Sequence, residues 1–213
     1  RHERQMALPA MTLEQLATNL ATTETDRPLA LADRRIQFTG RVMKDRYVLL
    51  DNRIRDGRFG YELIAFIGVA GAHVPVNFGW LPGDPARRSL PDPDVSSGEI
   101  AIMGRLYVPS EGAYLLEAIE APRELPAVVQ DFPAAEFAHG LTKLLGSPVL
   151  PIVVRMADSQ PDALRADWPI VNQSPEKHTG YAVQWFTMAA VLLIAFILCA
   201  SNLGSLLRPG SKN

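Results

Sequence analysis

An uncharged apolar segment near the C-terminus limits what this chain can fold into. No Asp, Glu, Lys or Arg occurs from Thr179 to Leu207, and residues 189–200 are almost entirely aliphatic. Crossing the hydrocarbon core of a membrane takes about 20 apolar residues of helix, and lipid offers the backbone no other hydrogen-bond partners. The sequence therefore predicts a transmembrane helix over residues 175–207 and a short tail over 208–213. The other interpretation is a core helix of a large soluble protein.

The first turns of this segment contain the residues most suited to binding chemistry. Tyr181, Trp185 and Phe186 are aromatic, as is typical of helix residues at the headgroup boundary. At helical spacing, His178 shares one face with Tyr181 and Trp185. An imidazole in this position is either a ligand for a haem iron or another metal, or an anchor at the membrane interface.

Composition excludes several classes of protein. The chain has 21 basic and 23 acidic residues, a formal net charge of −2, which argues against nucleic-acid binding. Its one cysteine, Cys199, lies in the apolar segment, so neither an intrachain disulfide nor a cysteine-based zinc site is expected. The four histidines lack ligand spacing, and no nucleotide-binding or hydrolase motif occurs. We therefore expect a protein without enzymatic activity.

The residues before the apolar segment predict a mainly β domain. Residues 1–30 are expected to form a helix over 9–21, with Pro9 at its first position, and a polar linker over 22–28. Residues 31–174 should then form the β-rich domain, with turns at Asp56-Gly57 and at residues 70–72. Strands are expected in the alternating or apolar runs near residues 36–40, 47–50, 59–69, 73–80, 98–108, 113–119 and 148–156.

Three further segments complete the predicted domain. Residues 81–97 are rich in proline and glycine, which predicts a long exposed loop. Residues 132–146 have helical periodicity, with Pro133 at the first position and Gly146 as the stop. Residues 158–172 are expected to run over the domain surface. Short strands with one or two helices indicate an antiparallel β-barrel or a sandwich-like domain.

Three motifs point to a known family. Pro175–Phe186 reads PEKHTGYAVQWF, residues 76–82 read VNFGWLP, and residues 49–61 contain Asn52-Arg53 followed by Gly60-Tyr61. Together they resemble the Surfeit-one family of membrane-anchored assembly factors of cytochrome c oxidase, over residues 35–207. Phe78 stands where the family usually has arginine, so a role for that charge does not carry over. From the same segment, Asn77, Gly79 and Trp80 are expected to form a structural corner.

The resemblance implies an architecture and a location. Family members usually have two spanning helices around an extracytoplasmic domain, so we expect a first spanning helix before Arg1. A processed N-terminus with a single C-terminal anchor is the other interpretation. The resemblance places the main domain in the periplasm, at the inner (cell) membrane of a bacterium. Arg208 and Lys212 in the short tail agree weakly with a cytoplasmic C-terminus, whereas Lys177 opposes it.

The resemblance also implies a cargo and partners. Bacterial relatives bind haem a and help to place it in the catalytic subunit of a haem-copper oxidase, so transient haem a, oxidase subunits and membrane lipid are expected partners. In the matching motif, His178 is the expected iron ligand. Tyr181 and Trp185 would stack on the macrocycle, and Lys177 would contact propionates.

Two other functions fit the same residues. The chain could be an accessory partner of the oxidase that does not handle haem, since Ala200 and Gly204 are spaced for close helix packing. It could also be a membrane-tethered barrel that binds a ligand in a deep apolar cavity.

Overall fold

The computed structural model describes residues 8–21, 31–93, 97–108, 120–168 and 175–200, without the side chains of residues 21, 175–179 and 200. The chain separates into two compact units, Arg1–Trp168 and Pro169–Asn213. Within the first, which we call the barrel domain, seven strands and two helices are described. They are α1 (Leu13–Ala21), β1 (Arg35–Val42), β2 (Tyr47–Arg55), β3 (Arg58–Val69), β4 (Ala72–Pro82), β5 (Gly98–Tyr107), β6 (Ala127–Val129), α2 (Ala134–Leu145) and β7 (Val153–Met156).

Five of these strands close into a barrel. Hydrogen bonding runs in the order β1–β5–β7–β4–β3 and returns to β1 through one pair, Arg41 opposite Gly68. β2 extends the sheet from β3, and β6 adds alongside β2. The described pairs are antiparallel except β2–β6 and β4–β7, which are parallel. The predicted mainly β barrel is therefore confirmed, with two parallel pairs added to the expected antiparallel pattern.

Short non-strand segments cover parts of the sheet that would otherwise be unpaired. Met11 lies beside Ile36 of β1, with its N–H donating to the Arg35 carbonyl and its own carbonyl accepting from Gln37. Val149 bridges to β4 at one end, and Arg165 bridges to it at the other. The expected course of residues 158–172 over the domain is confirmed as far as residue 168.

The barrel interior forms the main apolar core. β1 alternates exposed and buried residues along its whole length, as its period of two predicts. Its inward residues meet those of β3, β4, β5 and β7 in one cluster, to which α1 contributes Leu16. Fully buried members of this cluster include Leu16, Ile36, Leu63, Ile67, Val76, Phe78, Ile102, Leu106 and Met156.

A second core lies on the outer face of the sheet, beneath α2. Phe137 and Leu141 on the inward stripe of α2 pack against Ile64 and Phe66 of β3. The helix ends at Gly146, which has φ of 76° and donates its N–H to the Thr142 carbonyl. The predicted helix and its stop are confirmed, although Pro133 is the N-cap residue and the helix begins at Ala134.

Both predicted turns are confirmed, and each joins two strands in a hairpin. Asp56 and Gly57 link β2 to β3 with φ of 48° and 71°, and Ala70 and Gly71 link β3 to β4 with φ of 47° and 82°. Two successive residues with positive φ give the turn whose twist matches that of paired strands.

Three predicted boundaries were wrong. The first helix begins at Leu13 and not at Pro9, because Thr12 and Gln15 form a reciprocal cap: the Gln15 N–H donates to Thr12 Oγ1 at 3.3 Å and the Thr12 N–H to Gln15 Oε1 at 3.0 Å. β2 does not stop at Asp51, because a bulge at residues 51–52 carries the strand on to Arg55. The predicted strand over 148–156 is regular only from Val153.

The other predicted segments differ in outcome. Leu81 and Pro82 belong to β4, so the proline-rich loop begins at Gly83. The predicted strand over residues 113–119 and the linker over 22–28 lie outside the described residues.

The second unit contains one long helix, α3 (Pro175–Ala200). Residues Gly180–Cys199 are long and apolar enough to cross a membrane, and none of them is buried. The last part of the predicted span, residues 201–207, lies outside the described residues.

Candidate functional site

The sequence-predicted site residues lie in the first turns of α3. Lys177, His178, Tyr181 and Trp185 all fall within the helix, so the helical spacing assumed for them is present in the backbone. The side chains of Lys177 and His178 lie outside the described residues. Tyr181 is 62% exposed and Trp185 is 68% exposed. Both rings are therefore open to a flat ligand, to lipid or to a partner, and the assignment of these four residues to haem stays a prediction.

The surface of α3 is apolar on all sides. Every residue from Gly180 to Cys199 is exposed, including the large side chains of Leu192, Ile194 and Phe196. A helix that is hydrophobic all round is stable only when something apolar surrounds it. α3 is therefore a membrane-span candidate by both composition and exposure.

A second candidate site lies on the outer face of the barrel domain. Glu62, Ile64 and Phe66 are alternate residues of β3 and lie on one face of the strand. α2 covers Ile64 and Phe66, and Glu62 lies beyond the helix. A cavity of about 250 Å³ opens beside it. We call it the arginine cleft; its polar lining residues are Arg53, Glu62, Asn77, Tyr107, Asp131 and Arg155.

Arg155 of β7 is the central cation of the arginine cleft. Its guanidinium carbon lies 3.5 Å from the centre of the Tyr107 ring and 5.0 Å from that of the Trp168 ring. Trp168 is held in place because its indole N–H donates to the Met156 carbonyl at 2.7 Å. Burial is the largest effect on the Arg155 guanidinium and lowers its pKa, because desolvation disfavours the charged form.

Glu62 of β3 is a partly buried carboxylate that lines the cleft together with Arg155. It accepts a hydrogen bond from the Asn77 amide at 2.9 Å and an ion pair from Arg55 at 3.5 Å. Arg55 also binds Asp167, at 3.3 Å from Oδ1 and at 2.6 Å from the backbone carbonyl. Arg55 thus balances the charge of Glu62, and Asn77 orients its carboxylate.

Two buried arginine nitrogens on the cleft lack partners. Among the described residues, nothing accepts a hydrogen bond from the Nε–H of Arg53 or of Arg155. Arg53 reaches the Gln130 carbonyl only through its terminal nitrogen, at 3.5 Å. A buried donor without a partner costs about 1–3 kcal/mol, so such groups in a native protein call for an explanation.

Near the cleft, Asp51 joins three segments of the chain. This buried carboxylate pairs with Arg87 at 3.0 Å and accepts from Gln130 at 3.1 Å. Burial alone would raise the pKa of Asp51, but the Asn52 N–H, Arg87 and Gln130 together lower it. Arg87 belongs to the proline-rich loop and lies 4.1 Å from the Phe59 ring centre. The loop that was predicted to be long and exposed is therefore fixed to β2 and β3 at this point.

The VNFGW segment is structural and supports the cleft. The register between β3 and β4 shifts beside Phe78, and Gly79 has φ of 114° with a hypothetical Cβ only 2.7 Å from the Arg165 carbonyl. The Asn77 side chain accepts from the Gly79 N–H at 3.0 Å, while its amide holds Glu62. Trp80 is buried, and its indole donates to the Arg53 carbonyl at 2.7 Å. The expected structural role of Asn77, Gly79 and Trp80 is confirmed; the corner is a bulge inside β4.

His73 has a structural environment within the barrel domain. It is buried, and its Nδ1 lies 2.8 Å from Ser147 Oγ. Burial lowers its pKa, with a further contribution from the positive charge of Arg46. Among the described residues, no group of three or more His, Cys, Asp or Glu side chains could hold a metal ion.

Sequence reasoning missed the arginine cleft. The one available signal was Arg155 itself, a charged residue inside the otherwise apolar run of residues 148–156. A cation in such a strand must face either a partner or a cavity.

Comparison with known proteins decides the family. A family model described as the SURF1 family matches residues 1–190 of the 213-residue chain. The chain belongs to the SURF1 family. SURF1 proteins are membrane-associated assembly factors linked to cytochrome oxidase, and they are not a catalytic family. A comparison with curated proteins gave no match.

The SURF1 assignment confirms the resemblance inferred from the three motifs. The matched residues include the barrel domain and the first turns of α3, so both candidate sites lie within the family region. In this SURF1 chain Phe78 is fully buried in the barrel core, where it packs as an apolar residue.

Proposed function

We propose that this chain assists assembly of a haem-copper cytochrome c oxidase by helping to place haem a in the catalytic subunit. The cargo would be held transiently at the first turns of α3. The family link to oxidase assembly supports the general role. The observation that carries the finer proposal is a helix that is uncharged and exposed from Gly180 to Cys199. Its first turns place His178, Tyr181 and Trp185 at spacings of one face.

The chemistry of these residues fits haem a. Haem a is too apolar to travel free in water, and a helix at the membrane boundary offers it an apolar environment. A neutral imidazole is a good axial ligand, and a single ligand leaves the other axial position open for transfer. The exposed rings of Tyr181 and Trp185 suit contact with a macrocycle face. Lys177 would contact a propionate.

The proposed location is the inner membrane of a bacterium, with the barrel domain in the periplasm. The cations Arg208 and Lys212 follow closely after the apolar segment and favour the cytoplasmic side for these residues, since Lys and Arg near the end of a span are retained there. The barrel domain would then contact extracytoplasmic parts of the oxidase while α3 contacts its membrane subunits.

The deciding experiment uses the full chain made in cells that synthesise haem a. We expect wild-type protein to co-purify with substoichiometric haem a, detected by its Soret absorption. His178→Ala should reach the membrane in normal amount, because helix length and apolarity are kept, but lose most of the haem and lower oxidase activity. His139→Ala is the matched control, since His139 is an exposed histidine on α2.

Each result separates the candidate functions. Haem at wild-type occupancy in His178→Ala would make this histidine an interfacial anchor. Absence of haem from the wild-type protein, together with co-purifying oxidase subunits, would favour the accessory partner. The open surface of α3 is the observation that favours this second function, since it can pack against a partner helix without any cargo. Ala200 and Gly204, suggested for such packing, lie outside the described side chains.

A further inference from the structure

We propose that the arginine cleft of the barrel domain binds a small organic acid through its carboxylate. This site is separate in sequence and in chemistry from the first turns of α3. It does not depend on the haem proposal, because the cleft is built entirely from residues of the barrel domain.

The donors of the cleft are arranged for a planar anion. The ring of Tyr107 covers a face of the Arg155 guanidinium at 3.5 Å, and Trp168 lies 5.0 Å from the same group. With its faces against aromatic rings, an arginine presents its N–H donors only in the guanidinium plane. A carboxylate matches that plane with two parallel hydrogen bonds. The stacked rings also restrict the Arg155 side chain before any ligand arrives, which reduces the entropy lost on binding.

Both cleft arginines have capacity for an added acceptor. The buried Nε–H groups of Arg53 and Arg155 are without partners among the described residues. No ion pair within 4.0 Å joins either guanidinium to a described carboxylate, whereas the neighbouring Glu62 is already paired with Arg55. A bound carboxylate would accept hydrogen bonds from the buried donors and offset one of the two positive charges.

The remaining lining selects an organic acid over a bare inorganic anion. Leu50, Ile64, Phe132 and Val153 are buried residues on the apolar side of the cavity. The cavity volume of about 250 Å³ lies just below the range of about 300–1,000 Å³ usual for small-molecule sites. A carboxylate attached to a compact apolar body therefore fits both halves of the cleft. The exposed carboxylate of Asp131 on the rim disfavours acids with a second negative charge.

The test observes the two Nε–H groups directly. The full chain, labelled with ¹⁵N and held in a non-ionic detergent, is titrated with benzoate while the arginine Nε–Hε signals are recorded. Arg53→Lys and Arg155→Lys identify the two signals by their loss. We expect saturable shifts of both signals with a dissociation constant on the order of millimolar. Benzamide has nearly the same shape but no charge, and inorganic phosphate is an anion without an organic body. The affinity for each should be lower than that for benzoate by about tenfold or more.

Two variants then test the role of the planar N–H donors of Arg155. Arg155→Lys keeps the charge but loses the planar donors, so we expect benzoate affinity to fall about tenfold or more. Arg58→Lys, at an exposed arginine of the β2–β3 hairpin, is the matched control and should bind as the wild type does. If Arg155→Lys fails to fold, the wild-type comparison of benzoate with benzamide still decides.

Three outcomes would overturn the proposal. Absence of saturable shifts in the wild-type protein would mean that solvent satisfies the two donors. If benzamide binds as tightly as benzoate, the cleft does not recognise the carboxylate. If phosphate binds as tightly as benzoate, the organic part of the acid contributes nothing to binding. The readout involves no haem, so its failure is distinct from failure of the proposed assembly function.

Discussion

The barrel domain and α3 use the same kinds of apolar side chain in opposite ways. Phe66 in the barrel domain is fully buried, whereas Phe196 in α3 is 68% exposed. In β1, polar residues alternate with buried ones, so that the strand has its own inner and outer face. In α3 no such alternation exists, because the helix from Gly180 to Cys199 is apolar on every side.

The difference lies in what each region needs in order to be stable. Burying apolar surface contributes about 25 cal/mol per Å², and the barrel domain achieves this with its own residues. For α3 the same contribution has to come from lipid or from another protein. The sequence patterning, more than the hydrophobicity itself, therefore determines whether a segment is self-sufficient.

Removing α3 should separate the two regions completely. A fragment of residues 1–172 is expected to stay out of membranes while the barrel domain keeps its fold, because its two cores contain only barrel-domain residues. Fractionation and a thermal melt in detergent-free buffer measure the two properties. Aggregation, or a melt without cooperativity, would mean that the barrel domain also depends on α3.

The same substitution should act differently on a buried and an exposed tryptophan. Trp80 is 6% exposed and donates to the Arg53 carbonyl, so Trp80→Ala is expected to destabilise the barrel domain by about 3–5 kcal/mol. For a unit of this size that corresponds to a melting temperature lower by about 6–20 °C. Trp185→Ala should leave the barrel melt unchanged. An unchanged melt in Trp80→Ala would indicate that the indole contributes nothing to packing.

A charge should distinguish exposure to lipid from exposure to water. Leu192→Arg in the middle of α3 is expected to disfavour insertion by about 2.5–3.5 kcal/mol. Leu90, an exposed leucine of the barrel domain, is the control: Leu90→Arg should change stability by no more than about 0.5 kcal/mol. Insertion is measured by alkaline extraction of membranes. Normal insertion of Leu192→Arg would argue that α3 lies against protein or water.

The smallest expected effect is a pH dependence that belongs to the barrel domain. Burial holds the pKa of His73 below its usual value of 6.5, so the unfolded chain takes up a proton at a higher pH than the folded one. The stability from neutral His73 is present above pH 6.5 and decreases below it, by at most about 1.4 kcal/mol per pH unit. Melts between pH 5 and 8 should show this slope, and His73→Gln should reduce it. A slope unchanged in His73→Gln would assign it to other groups.

Local patterns predicted those parts of the barrel domain that local chemistry determines. The alternation around Ile36 and Phe38 predicted β1, and Asp56-Gly57 predicted a turn. Both residues of that turn adopt positive φ. Asp51-Asn52 has similar composition but a different outcome. There the positive φ of Asn52 forms a bulge and the strand continues, since Arg87 and Gln130 satisfy Asp51 from distant parts of the chain.

The arginine cleft could not be assembled from the sequence for a related reason. Its residues come from β2, β3, β4, β5, β7 and the segment between β6 and α2. Only the strand order brings Arg53 and Arg155 to one cavity. No local period encodes that order. The residues suggested at α3, by contrast, are neighbours along one helix, so spacing alone could group His178, Tyr181 and Trp185.

The short segments that bridge to β1 and β4 affect how copies of the chain can interact. An unpaired strand edge is a template on which a second chain can add, and that hazard grows with the frequency of encounters between copies. In a membrane-associated family, copies diffuse in two dimensions and share a common orientation, so equivalent edges meet far more often than in solution. Met11, Val149 and Arg165 occupy backbone positions on β1 and β4 where such a chain would begin to pair. Because these positions are already paired within the chain, a second copy cannot begin to add a strand there.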